Sequence, residues 1–113
     1  MTNQLSQSEF YILLSLAIKE RHGYEIMKQV EQDSTKKVLL GPGTLYGSIK
    51  RMLQDRLIEE VAGDNPRRKY YTLTEDGKKS LSAELDRYND AVELAKRKNL
   101  FKNLGLIKFA YDL

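Results

Sequence analysis

The sequence predicts a mainly α-helical fold with one small β-hairpin. Three observations carry that expectation. The stretch Leu40–Ile58 opens on Gly41-Pro42-Gly43-Thr44 and then repeats apolar residues at helical spacing. Two strand-like runs flank the turn residues Gly63-Asp64-Asn65-Pro66. Beyond them Leu81, Leu85, Tyr88, Val92 and Ala95 recur in steps of 4, 3, 4 and 3, which is a coiled-coil seam.

The composition bounds what the chain can be. Its 113 residues have room for one core-bearing domain, and 41% hydrophobic with 31% charged residues is globular rather than disordered. A core this small is modest, so an element that is apolar on two sides points to a partner subunit. With 19 Lys plus Arg against 16 Asp plus Glu the net charge is +3. That excess is too slight to imply a polyanion by itself; the placement of the cations has to decide. Cysteine is absent, which excludes disulfides, thiolate metal sites and a Cys nucleophile, and fits the cytoplasm. No apolar run approaches the roughly 20 residues of a membrane span. MTNQLSQSEF lacks the basic and apolar regions of a signal peptide. A cytoplasmic protein without a membrane partner is expected.

The elements follow in order. Ser6-Gln7-Ser8-Glu9 is a capping box, with Ser6 as N-cap. The helix after it, Phe10 to Lys19, is apolar almost all round, so its second buried side is expected against another subunit. Arg21-His22-Gly23 is expected to close it, with glycine at the stop. A second helix runs from about Tyr24 to Asp33, with Ile26, Met27 and Val30 as its apolar stripe. The link Ser34–Leu40 has room for one short strand.

In the third helix Leu45, Ile49, Met52 and Leu53 form the core face, and Gly43, Gly47, Lys50, Arg51 and Gln54 the outer one. Small, basic and amide residues there let the helix backbone approach a polyanion. That suits a recognition helix in the DNA major groove. Thr44 and Tyr46, at the first turn, place hydroxyls where phosphate binds, with packing on the flank of the helix as the alternative for Tyr46. Tyr24 does the same for the second helix. Ile58–Ala62 and Arg67–Leu73 make the hairpin. Arg67, Arg68 and Lys69 give it a basic tip for the minor groove or backbone, and a basic hairpin directly after a recognition helix is a wing. Tyr71 and Leu73 alternate into the core and Tyr70 points away. Thr74-Glu75-Asp76 then caps the long helix. Its tail, LFKNLGLIKFAYDL, reads as a short helix interrupted near Gly105.

This is a winged helix-turn-helix organisation: residues 1–73 a DNA-binding domain, residues 74–113 a dimerisation helix and tail. Enzyme chemistry is not visible. His22 is the single histidine, without a GxSxG element, and no cysteine or second histidine completes a zinc site. Gly41-Pro42-Gly43 lacks the Lys-Ser/Thr of a phosphate loop. No metal and no cofactor are expected. A winged helix used for protein–protein contact, without specific DNA binding, is the alternative; salt-dependent binding to duplex DNA separates the two.

Three motifs in this order carry a resemblance. They are His22-Gly23-Tyr24-Glu25-Ile26, then Pro42-Gly43-Thr44-Leu45-Tyr46 leading to Leu53 and Leu57-Ile58, then Arg67-Arg68-Lys69-Tyr70-Tyr71-Thr72-Leu73-Thr74-Glu75-Asp76-Gly77. From about Phe10 to Ala95 the chain resembles the PadR-like winged-helix transcriptional regulators, in their short form with a single C-terminal helix. The resemblance implies a homodimeric repressor on palindromic double-stranded operator DNA, released by a small molecule or stress signal. It places the dimer interface on the first and last helices, here Phe10, Leu14, Leu81, Leu85, Tyr88, Val92 and Ala95. The chain is also similar to the multidrug-responsive branch, in which an aromatic residue lines a pore between subunits. Tyr88 takes that position and would contact a small planar aromatic effector. That branch uses tryptophan, and this chain has none.

Overall fold

The computed structural model describes residues 4–105. In order they form α1 (Gln7–Ile18), β1 (Arg21–His22), α2 (Gly23–Asp33), α3 (Pro42–Gln54), β2 (Ile58–Val61), β3 (Tyr70–Leu73), α4 (Glu75–Arg97) and α5 (Leu100–Asn103). This is a mainly helical winged-helix fold. By its contacts the chain divides into two compact units at Ser82–Ala83.

In the first unit the three helices α1 to α3 surround one core. Ile12, Leu13, Ile26, Leu45 and Met52 are fully buried, with Ile49 and Ile58 beside them. Burying a side chain of this size contributes about 1.5–3 kcal/mol. The Ser6–Glu9 capping box is present: Glu9 N–H donates to Ser6 Oγ at 3.1 Å, and Ser6 N–H to Glu9 Oε1 at 2.9 Å. The first helix is not covered on every side, because Ile18 at its end is 82% exposed.

The sheet has three strands rather than two, in the order β1-β3-β2, all antiparallel. Arg21 and His22 do not close α1. They pair with Tyr71 and Tyr70 of β3. Gly23 correspondingly starts α2 instead of stopping α1. The link after α2 holds no strand. Ser34 knots it, its buried hydroxyl accepting Val38 N–H at 2.9 Å, while Thr35 and Lys36 turn the chain at positive φ. Val38 and Leu40 then drop into the core with Leu39 outside.

The wing also departs from the expected spans. Its return strand begins at Tyr70, so Arg67, Arg68 and Lys69 lie in the tip and not in a strand. Tyr70 stands apart from the core cluster that Tyr71 and Leu73 join, yet it is buried. Its ring occupies the place that a Cβ on Gly63 would take, and its hydroxyl accepts the Asn65 N–H at 3.2 Å. Asn65 Oδ1 in turn accepts Arg67 N–H at 2.9 Å, and Asn65 O accepts Arg68 N–H at 3.1 Å. The tip is therefore ordered by its own bonds.

In the second unit α4 continues to Arg97, with Lys96 and Arg97 on its negative dipole end. Glu84 there is buried, paired with Arg87 and accepting the Tyr88 hydroxyl at 3.1 Å. Asn99 at positive φ introduces α5, and Gly105 with φ +73° follows it, close to the expected interruption. The rest of the expected tail packing, from Leu106 onward, falls outside the described residues.

Candidate nucleic-acid interface

The helix α3 differs at its start from α1 and α2. Each of those carries a reciprocal capping box, whereas the N-cap of α3 is Gly41, which offers no side-chain hydrogen bond. Pro42 has no N–H to satisfy, and Leu45 N–H already donates to Gly41 O at 2.9 Å. The amides of Gly43 and Thr44 are left without an intrahelical acceptor. No acid occupies the first turn. This end of the helix suits an anion.

The outer face of α3 carries the expected residues. Gly43, Thr44, Lys50 and Arg51 are exposed, Tyr46 is 54% exposed and Gly47 is half-buried. Arg51 is tethered along the helix by its Nη2, which donates to Ser48 Oγ at 3.3 Å. A Cβ on Gly43 would meet nothing within 4 Å, and one on Gly47 only the Arg51 guanidinium at 3.8 Å. Nothing among the described residues requires glycine at either position.

A second group gathers between the wing and the start of α2. Arg67, Arg68 and Lys69 from the tip line an open cleft of about 660 Å³ together with His22, Gly23, Tyr46 and Tyr71. Tyr46 leans over Gly23, its hydroxyl 2.6 Å from where a Cβ would stand. The Tyr71 hydroxyl is held above its ordinary value of 10.0, first by burial, then by Glu60 and Tyr46, so it remains a donor at neutral pH. Tyr24 is exposed beside this group, with Lys28 Nζ 5.2 Å from its ring centre. The structure thus brings Tyr46 together with the wing cations, while Lys50 and Arg51 lie further along α3 and do not line the cleft.

His22 borders the cleft, and its role as a helix cap was not specified by the sequence. Its Nδ1 accepts Glu25 N–H at 3.3 Å, and Glu25 Oε1 accepts His22 N–H at 3.1 Å, so histidine serves as the N-cap of α2. The available signal was Glu25 three residues on, at capping-box spacing. Histidine is not among the usual caps.

The residues expected at a dimer seam separate into two sets. Phe10 and Leu81 are buried in the chain's own core, and Leu14 is partly buried against it. Leu85, Tyr88 and Val92 are 43%, 49% and 42% exposed, and Ala95 is partly covered. Among the described residues no helix is long and apolar enough to cross a membrane.

Residues 12–83 match the transcriptional regulator PadR-like family. The chain belongs to that family. PadR-like proteins are transcriptional regulators and not enzymes, so this is a DNA-binding transcriptional regulator. A protein of Lysinibacillus sphaericus, described only as uncharacterized protein X, is 31% identical over 87 residues, covering 74% of this chain and 80% of that one. A PadR family transcription regulator from Clostridium difficile is 29% identical, with a TM-score of 0.69 over 81% of this chain and 97% of the other. A PadR-like transcriptional regulator from Bacillus cereus shares the fold at 24% identity, with a TM-score of 0.66 over 79% and 87%.

Proposed function

We propose that this PadR-like protein is a homodimeric cytoplasmic repressor. Each protomer sets α3 into the major groove of one half of a palindromic operator and its wing along the neighbouring backbone or minor groove. The observation that carries this reading is the outer face of α3. It joins an uncapped N-terminus, two glycines that the protomer does not need and two outward cations, on the same unit as a self-ordered basic wing. Gly43, Gly47, Lys50 and Arg51 make the groove contacts. Thr44, Tyr46 and Tyr24 hold phosphates, and Arg67, Arg68 and Lys69 follow the strand.

Dimerisation through α4 is supported by Leu85, Tyr88 and Val92, exposed apolar positions at seam spacing. A small molecule or stress signal releases the repressor from DNA, with Tyr88 as the contact where the signal is a planar aromatic effector.

The test is titration of duplex DNA at several salt concentrations with wild type, Lys50→Ala and Arg51→Ala. If the side chain binds a phosphate, its removal lowers the salt slope by about 1; if it binds a base, its removal costs roughly 1–3 kcal/mol and relaxes one operator position. Unchanged affinity in both variants rejects α3 as the recognition helix. Binding that ignores salt favours the protein-contact alternative.

A further inference from the structure

We propose that His22 is a positioning residue that holds Arg68 of the wing against the start of α2, so that wing and helix grip one DNA phosphate as a single piece. The proposal rests on the DNA-binding reading above. Arg68 Nη1 stands 3.5 Å from His22 Nδ1, the same nitrogen that accepts the Glu25 N–H. Nδ1 is therefore the point at which the start of α2 and the wing arginine meet. The ring's Nε2 faces Glu25 Oε1 at 3.3 Å. The ring cannot swing away easily. It is the cross-strand partner of Tyr70 and meets that ring edge-on at 5.3 Å between centres.

Backbone pairing of β1 with β3 brings the start of α2 beside the wing, and this side chain extends the link to the wing tip. On one side it caps α2, whose next residue is Tyr24. On the other it takes Arg68, whose own N–H is fixed to Asn65 O. The guanidinium is thus anchored at its backbone and steadied at its tip. It faces the cleft that Arg67, Lys69, Tyr46 and Tyr71 also line. A guanidinium fork presented in a fixed direction suits the paired oxygens of a phosphodiester.

The experiment is a double-mutant cycle on a duplex that the wild type selects from a random pool. His22→Asn keeps a good N-cap for α2, but is too short to steady Arg68. The expected result is an unfolding midpoint near that of wild type, together with weaker DNA binding. Arg68→Ala should then lose at least about 2-fold less affinity in the His22→Asn background than in wild type, the lower bound for coupled neighbours. Arg68→Lys, with His22 intact, keeps the charge but not the fork, and should bind nearly as weakly as Arg68→Ala. Equal losses from Arg68→Ala in both backgrounds overturn the assignment. So does full affinity in His22→Asn, which would leave His22 as a cap, or full affinity in Arg68→Lys, which needs no stable His22 variant. A wild type that selects no duplex overturns the DNA-binding reading and this assignment with it.

Discussion

Gly77, in the first turn of α4, faces the carbonyl oxygen of Leu57 so closely that a Cβ would fall on it. That oxygen already accepts Thr74 N–H at 3.1 Å, while the Thr74 hydroxyl donates to Arg56 O and accepts Gly77 N–H at 3.0 Å. Arg56, with φ of 59°, turns the chain between α3 and β2. The start of α4 is therefore locked to the exit of α3. Because the opposing atom is backbone, it cannot rotate aside. Gly77→Ala should destabilise the domain by about 1–3 kcal/mol, the usual range for forcing atoms into a packed site. Thermal unfolding at fixed protein concentration measures it, and a midpoint equal to wild type contradicts the lock.

The third helix was legible because its core face is long enough to show a period. Leu45, Ile49 and Met52 recur at helical spacing and all three are buried. The Ser6–Glu9 box was legible because serine and glutamate are its ordinary members. The strand Arg21–His22 was not, since two residues carry no period and the partner strand is distant in sequence. Alternation set Tyr70 apart from Tyr71 and Leu73, but not its burial, which comes from Gly63 lying against its ring. The basic tip was visible as composition. The 3.5 Å approach of Arg68 Nη1 to His22 Nδ1 is a tertiary contact, and nothing local to either residue encodes it.

The glycines of α3 separate stability from binding. Gly47 lies inside the helix, where alanine is better by roughly 0.5–1 kcal/mol, and the space for a methyl group is open. Gly47→Ala should raise the unfolding midpoint and yet weaken DNA binding, because the methyl group lies between the helix backbone and the groove. Denaturation and a DNA titration on the same preparation read both. A stabilised variant with wild-type affinity would take Gly47 out of the interface.

Val92→Asp addresses assembly. The residue is exposed in the protomer and sits at seam spacing with Leu85 and Tyr88. A two-fold interface places each seam residue near the axis or its mate, so one substitution introduces two carboxylates. The expected product is a monomer or an aggregate, seen by light scattering. The operator of the wild-type dimer should then have half-sites about one helical turn, or a multiple, apart. A well-folded dimer carrying the substitution argues against this seam.

Tyr88 is the residue on which the proposed release by a ligand rests. Its ring is about half exposed and its hydroxyl donates to the buried Glu84, which fixes the direction of the ring. Two such rings facing each other across a dimer axis would take a flat aromatic molecule between them, and a cationic one would gain from the ring quadrupole. Tyrosine has a smaller face than tryptophan, so weaker binding or a phenolic ligand is expected. Binding loosens DNA only if the ligand prefers a dimer spacing that misfits the two half-sites, since equal affinity for both states shifts nothing. Calorimetric titration of planar aromatic compounds into wild type and Tyr88→Ala measures the contact directly. Loss of binding in Tyr88→Ala with the dimer intact supports the site. Equal binding by both proteins moves it elsewhere. Tyr88→Phe adds a finer reading: the ring stays while the bond to Glu84 is removed, so planar ligands should still bind but with less selectivity among ring orientations.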